Sequence, residues 1–453
     1  MIDTVLIMLL GTLLGIMGGL LPGIGVTVTL LLAYPFIEGF DLIQMLVFYL
    51  AIVSASQYSG SVIATTMGIP GDSSSLPAVT EGHALFKRGL GQYAISGAAI
   101  GSTFGALVAV AIVFSIMPVA VTLIKSFYNN NVQLCVLIVS SALIIFTYGN
   151  KVQNLMLFLF GALLASIGIS MVPYAVMWPD IVPYKTFPAL YQGLPLFPVI
   201  VSLFVIPTIA GSWNTTFSNL PGVFDSTHQK ITTHLAEYFK NISSSIRGSL
   251  IGSVCGLVPH VTTVLASNVS YIVEKKIGIR NKTYNHNGDS KSLIAAETAN
   301  NSAGFVQLMP LLLLGVPITT SEAIILSMLE HNSFLVNYTT TIGSGLFNQL
   351  VLWFVAINFL AFLFAWPMAK HVQLLYKVPY RYIIAIIVAT LFFMVWYLGA
   401  RSHNEIYYLL TFAALAPVGY MLRNTNTIII ILAFVLQDKL LAAIVRASII
   451  WTS

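Results

Sequence analysis

Apolar residues fill positions 4 to 37 with one interruption, Leu21-Pro22-Gly23-Ile24-Gly25. A straight crossing of a bilayer takes about 20 residues, so the run is too long for one span and too short for two. It predicts a first membrane segment broken at Pro22, because proline removes a backbone donor and clashes with the preceding turn. A short acidic turn, Glu38 to Asp41, leads to a second apolar segment, 42 to 67, which ends in a second break, Gly68-Ile69-Pro70-Gly71-Asp72-Ser73-Ser74-Ser75. Further apolar segments follow at 92–124, 132–148 and 153–172, then an interfacial stretch rich in proline and aromatics at 173–198 and a short apolar run at 199–210. Polar residues then dominate from 212 to 246, where a surface helix is expected at 228–241.

The second half repeats this plan. Gly11, Gly15, Gly19 and Pro22 reappear as Gly248, Gly252, Gly256 and Pro259, each 237 residues later. Glycine at every fourth position lets two helix backbones approach closely. Gly97, Gly101 and Gly105 form a third ladder without a following proline. The break at Gly315-Val316-Pro317-Ile318-Thr319-Thr320-Ser321 is the counterpart of Gly68 to Ser74. Pro70 follows Pro22 by 48 residues and Pro317 follows Pro259 by 58, the extra ten falling in the longer polar loop, Glu274 to Lys291. This organisation divides the chain into a first repeat (1–211), a polar linker (212–246) and a second repeat (247–453) with additional C-terminal helices.

Composition fixes the class. Of 453 residues, 57% are hydrophobic and 8% charged, against about 25% charged in soluble domains. The fold class is therefore an all-α integral membrane protein, with about 10–14 transmembrane or re-entrant segments. The N-terminus lacks a basic leader region and an evident cleavage site, so it is read as membrane segment and not as signal peptide. Cys135 and Cys255 lie far apart in apolar runs and suggest neither a disulfide framework nor a metal site. The net charge of +5 comes from loops and gives no sign of nucleic-acid binding.

Corresponding loops differ in sign of charge. Glu38 and Asp41 face Lys275, Lys276, Arg280, Lys282 and Lys291, while Lys87 and Arg88 face Glu322 and Glu330. Under the positive-inside rule the two repeats would be inverted relative to one another. Inverted repeats whose broken helices meet near the midplane are the plan of many secondary transporters.

Candidate binding residues follow from the breaks. Half-helices starting after Pro22-Gly23 and Pro70-Gly71 would offer backbone N–H groups and a positive dipole end to an anion. Gly25, Thr27, Ser73, Ser74, Thr319, Thr320 and Ser321 lie within or just beyond the breaks, as do Pro259, His260 and Pro317, and Ser59, Gly60 and Ser61 are small or polar inside an apolar segment. Asp72 either lines the site or caps the next helix, and His260 reads equally as a satisfied interior histidine or a proton-sensitive group. No arginine lies within the breaks. Asn300 and Asn301 supply amide oxygens for a cation, and Glu297, a carboxyl in an apolar run, is costly unless it faces a cavity or bundle interior. No HExxH motif and no convincing pair of membrane aspartates is present, which argues against an enzyme. An anion channel or other pore without ion coupling is the alternative to a transporter.

LPGIG after the first ladder, YSGSVIATTMGIPGDSSSLPAVTEGHALFKRGLGQYAISGAA and AAETANNSAGFVQLMPLLLLGVP resemble the two halves of the TctA family, the large permease of tripartite tricarboxylate transporters. The resemblance covers most of residues 10 to 320 in order, with GLPLFPVIVSLF from Gly193 a weaker match. It implies a multi-pass protein of the bacterial inner membrane that imports organic carboxylates on an ion gradient, with no cofactor and with Na+ or H+ as coupling ion. It further implies two partners, a small membrane subunit and an extracytoplasmic solute-binding protein.

Overall fold

The computed structural model describes residues 2–37, 39–126, 130–146, 149–168, 193–212, 238–239, 241–259, 262–334, 345–375 and 380–452. Most of the expected linker, its surface helix, and the stretch 173–192 lie outside the described residues, as does His260. All regular structure among the described residues is helical. Among the described residues five helices are long and apolar enough to cross a membrane: Ile2–Leu20, Leu42–Met67, Ala78–Thr122, Leu346–Ala365 and Arg381–Arg401. Shorter apolar helices cover Leu137–Phe146, Lys151–Ala165, Leu196–Ala210 and Ile428–Gln437.

The first break is where the proline places it. Helix α1 (Ile2–Leu20) ends one residue before a turn over Leu21–Ile24, and α2 (Gly25–Ala33) resumes beyond it. Helix α3 (Leu42–Met67) begins in a capping box between Asp41 and Gln44 and ends at Gly68, whose φ of 68° closes the last turn in the left-handed region. Every residue of α3 from Met45 to Thr66 is buried. A stretch of wide helical turns over Ala78–Leu90 leads into α4 (Gly91–Ser126). After α5 (Asn130–Phe146), α6 (Lys151–Ala165) and α7 (Leu196–Ala210), the second unit opens with α8 (Ile242–Cys255), α9 (Thr262–Arg280) and α10 (Ser290–Val306). Helix α10 is buried throughout Ser292–Val306. It is followed by α11 (Leu308–Leu314), which ends at the left-handed Gly315 (φ 65°), and α12 (Thr320–His331), and the chain closes with α13 (Leu346–Leu375), α14 (Tyr380–Arg401), α15 (Glu405–Met421) and α16 (Ile428–Thr452).

The two proline-bearing ladders do the same job in the two units. On α1, a Cβ at Gly11 would stand 2.9 Å from the Phe48 carbonyl oxygen, one at Gly15 would stand 2.5 Å from that of Ile52, and one at Gly19 would press on that of Ser56. On α8, Cβ atoms at Gly248, Gly252 and Gly256 would meet the carbonyl oxygens of Ala295, Ala299 and Ala303. These three alanines follow Phe48, Ile52 and Ser56 by 247 residues each, the same spacing that separates Gly68 from Gly315 and Pro70 from Pro317. Each unit is thus a ladder helix laid on a fully buried helix in matched register. The third ladder covers the other side of α10, with Gly101 and Gly105 against Ile294, Thr298 and Ser302.

Two polar positions differ from their sequence reading. Glu274 opens the expected polar loop, yet α9 continues to Arg280, and Glu274 is buried against Arg247 with nitrogen–oxygen distances of 2.7 and 2.9 Å. Glu322, read as a loop charge, is fully buried in the first turn of α12. It therefore drops out of the loop-charge comparison between the repeats.

A carboxylate also fastens the loop before α10. Glu81 is buried; its Oε1 accepts from the hydroxyls of Tyr271 (2.9 Å) and Tyr284 (2.7 Å), and its Oε2 from the Asp289 backbone N–H (2.8 Å). Asp289 in turn caps α10 through Ser292. The loop approaches so closely at Gly288 that a Cβ there would lie 2.9 Å from the Leu85 backbone nitrogen. Burial and the Glu81 carboxylate push the Tyr284 hydroxyl up to about 12, so it remains a donor throughout the neutral range. Glu81→Ala leaves three donors without their acceptor and is expected to destabilise the protein by about 3 kcal/mol. Thermal unfolding of the detergent-solubilised chain would read this, with a smaller loss for Glu81→Gln.

Candidate functional site

All four break regions meet at one cavity of about 260 Å³. Its walls are Gly23–Thr27 from the first break, Gly71–Ser73 from the second, Thr262–Val264 from the turn after Pro259, and Thr319–Ser321 from the break after Pro317. Val53 and Gln57 of α3, Phe204 and Thr208 of α7, Gln307 and Ile428 complete the lining. Among the described residues the lining contains one acidic side chain, Asp72, and no lysine, arginine or histidine.

Backbone geometry brings the second break to this wall. A Cβ on Gly71 would stand 2.5 Å from the Gly19 carbonyl oxygen and 2.6 Å from the Gly60 Cα, so the loop lies directly on the last turn of α1 and on α3. From there Asp72 turns back onto its own chain, accepting from the Ser74 (2.9 Å) and Ser75 (3.1 Å) backbone N–H groups and from the Ser74 hydroxyl (2.6 Å). Ser267 of α9 donates to the Ser74 carbonyl at 2.7 Å and ties the loop to the second unit. At the last break Glu322 has the corresponding role: its Oε2 accepts from the backbone N–H groups of Ile318 (2.8 Å) and Thr319 (3.1 Å). Of the two starts expected to receive an anion, the one after Pro70-Gly71 is thus already capped by the chain's own Asp72, and the one after Pro22-Gly23 carries no side-chain cap.

The candidate residues sort by position. Gly23, Gly25, Thr27, Gly71, Asp72, Ser73, Thr319, Thr320 and Ser321 line the cavity. Pro22, Pro259 and Pro317 are buried and shape the breaks without lining it. Pro70 is half-buried in the loop just before Gly71. Ser59 donates to the Ala55 carbonyl at 3.0 Å and Gly60 packs on Gly71, so both serve the helix contact, and the Ser74 hydroxyl is committed to Asp72. Glu297, Asn300 and Asn301 lie on α10, at the i, i+3 and i+4 spacing that shares one helix face. Glu297 is fully buried beside Ser61, within electrostatic reach of Asp72, and neither of its oxygens has a hydrogen-bond partner. The Ser61 hydroxyl, the Asn300 Oδ1 and both side-chain polar atoms of Asn301 are also buried and unpartnered. One turn further along this face Gly304 lies against the Gln57 amide, which itself lines the cavity. Buried polar groups are nearly always satisfied, so this concentration of unpartnered oxygens is the chemical signature of the site.

Sequence reasoning passed over Gln57, Gln307, Thr262 and Glu322. Thr262 donates to the Gln307 Oε1 at 2.6 Å across the cavity wall. The repeat offset was the available signal: 247 residues separate Gln57 from Gly304 and Gly60 from Gln307, so each glutamine marks the small residue of the other unit.

Taken together, this is a multi-pass helical membrane protein whose broken helices surround a polar cavity at the junction of two matched units. The family model described as "Tripartite tricarboxylate transporter TctA family" matches residues 5–433, and the chain belongs to that family. A relative from Agrobacterium vitis, described as an uncharacterized 52.8 kDa protein in the TAR-I ttuC' 3' region, is 30% identical over 317 residues, 68% of this chain. The chain spans about 60% of that relative's own length. No solved structure matches the chain.

Proposed function

We propose that this chain is the large permease of a tripartite importer of organic carboxylates, driven by a Na+ or H+ gradient and not by catalysis. The observation that carries this reading is the meeting of four broken segments at one polar cavity, next to a buried face of unpartnered carboxyl and amide oxygens. Cavity residues Gly23–Thr27, Gly71–Ser73 and Thr319–Ser321 would hold the anion, and Glu297, Asn300 and Asn301 the coupling ion. The two units are read as inverted repeats. The contact of Gln57 with Gly304, its own counterpart, is what a two-fold relation between units produces, and such repeats place substrate and ion at their interface. Family membership supports the small membrane subunit and the solute-binding protein as partners, and a bacterial inner-membrane location.

The test is thermal stability of the purified chain against mono-, di- and tricarboxylates with and without sodium, followed by uptake into proteoliposomes. Ligands of the native state raise stability by mass action. Saturable uptake that follows an imposed sodium or proton gradient is expected, with Asn300→Ala/Asn301→Ala reducing the gradient-driven part at least about tenfold, the loss of roughly 1.4 kcal/mol of ion binding. Flux that neither saturates nor responds to the gradient would favour a pore.

A further inference from the structure

The Glu297 face leaves a second buried carboxyl unused. Glu322 has no exposed surface; its Oε2 takes two backbone N–H donors while its Oε1 has none. Two backbone donors on one oxygen favour the ionised carboxylate while burial opposes it, so the acid holds its charge inside a membrane protein only with a counter-charge beside it. Among the described residues no basic side chain supplies it: the cavity lining they form has none, and Lys439, on the packed helix α16, pairs with Glu330 at 2.9 Å. Glu330 lies eight residues further along α12, about 12 Å away at 1.5 Å per residue. The other titratable group facing Glu322 is the Tyr49 hydroxyl of α3, which lies 3.2 Å from the Ser321 hydroxyl and among Thr319 and Gln307.

Oxygen ligands are at hand instead. Thr320 is buried, lines the cavity, and its hydroxyl has no hydrogen-bond partner. The Ser321 and Thr319 hydroxyls lie 3.2 Å from each other beside it. Carboxylate and hydroxyl oxygens are the ligands that a hard cation takes.

We propose that Glu322 and Thr320 form a second cation site, for an alkali ion of sodium size, and that the bound cation presents to the cavity the positive charge on which the substrate's carboxylate rests. This deepens the transporter reading given above and rests on it. It adds a residue that the break motifs did not single out and replaces the missing arginine: the anion is gripped through an ion that the protein must load first. With Glu297 it gives two cation sites for each turn of transport.

The deciding experiment measures thermal unfolding of the purified full-length chain, at fixed pH 7.5 and without carboxylate, as sodium chloride replaces choline chloride at constant ionic strength. The wild type is expected to gain stability cooperatively in sodium. Glu322→Gln should move the sodium midpoint at least about tenfold and leave a shallower, non-cooperative response that Glu297→Gln then removes. Thr320→Val, which keeps the branched shape and removes only the hydroxyl, should move the midpoint severalfold and guards against misfolding of the first variant. A sodium response unchanged in both Glu322→Gln and Thr320→Val overturns the second site while leaving the Glu297 site standing. A wild type that acidification stabilises and sodium does not would make Glu322 a proton carrier and also overturn it. A wild type indifferent to both ions would sink the coupling reading along with the second site.

Discussion

Gly252→Val is expected to cut the yield of folded protein severalfold. The added Cβ would press on the Ala299 carbonyl oxygen and come within 2.8 Å of the Ala299 Cα, and neither is the end of a side chain that can swing aside. Helix α8 would have to lift off α10 along the seam that Gly248 and Gly256 also form. Overpacking of a close contact costs about 1–3 kcal/mol where side chains can adjust, and here backbone must move, so at least about 3 kcal/mol is expected. Against a total stability of about 5–15 kcal/mol, that thins the margin enough to cut cellular abundance severalfold. Size-exclusion chromatography of a fluorescent fusion would read the loss of the monodisperse peak. Gly97→Ala is the control: its Cβ would meet only the Ile294 side chain, at 3.4 Å, and normal yield is expected.

Glu297→Gln is expected to move stability and transport in opposite directions. Both carboxyl oxygens are buried without a partner, so replacing the acid by a neutral amide removes a desolvation cost and should stabilise the ion-free protein by about 1 kcal/mol or more. The same change removes the only acidic group on the α10 face. Gradient-driven uptake should fall about 100-fold, the equivalent of roughly 2.7 kcal/mol. A higher unfolding temperature together with lost uptake is the expected pair of results, since a group kept at a stability cost is kept for function. A lower unfolding temperature with intact uptake would make Glu297 a structural residue.

Much of this could be read along the chain, for physical reasons. A proline in an apolar run has one outcome, so the breaks at Pro22 and Pro70 appear within a residue or two of their expected places, and α3 spans the 42–67 assigned from hydropathy. The ladders were legible because glycine at every fourth position has no reason to persist except close packing. What they pack on was not legible, since Phe48, Ile52 and Ser56 share no residue type with Ala295, Ala299 and Ala303: their common feature is a bare carbonyl on the facing helix. Glu297, Asn300 and Asn301 announced themselves as polar groups among alanines, whereas Glu322 was hidden by its neighbours. An acid two residues after Thr320 reads as the start of an exposed turn, and only the fold shows that α12 begins inside the protein. Gln57 and Gln307 gave no local signal at all, because their importance lies in facing the opposite unit.

That no described residue lining the cavity is basic has a consequence for leakage on the proposed reading. Whenever Asp72, with Glu297 and Glu322 behind it, is ionised, the cavity repels a carboxylate before any contact forms, and in a low-dielectric interior that repulsion is far stronger than in water. Under the proposed coupling, cargo would not ride alone. No separate gate against futile cycling would then be needed, because the sign of the interior would bar substrate until enough cations had entered to reverse it.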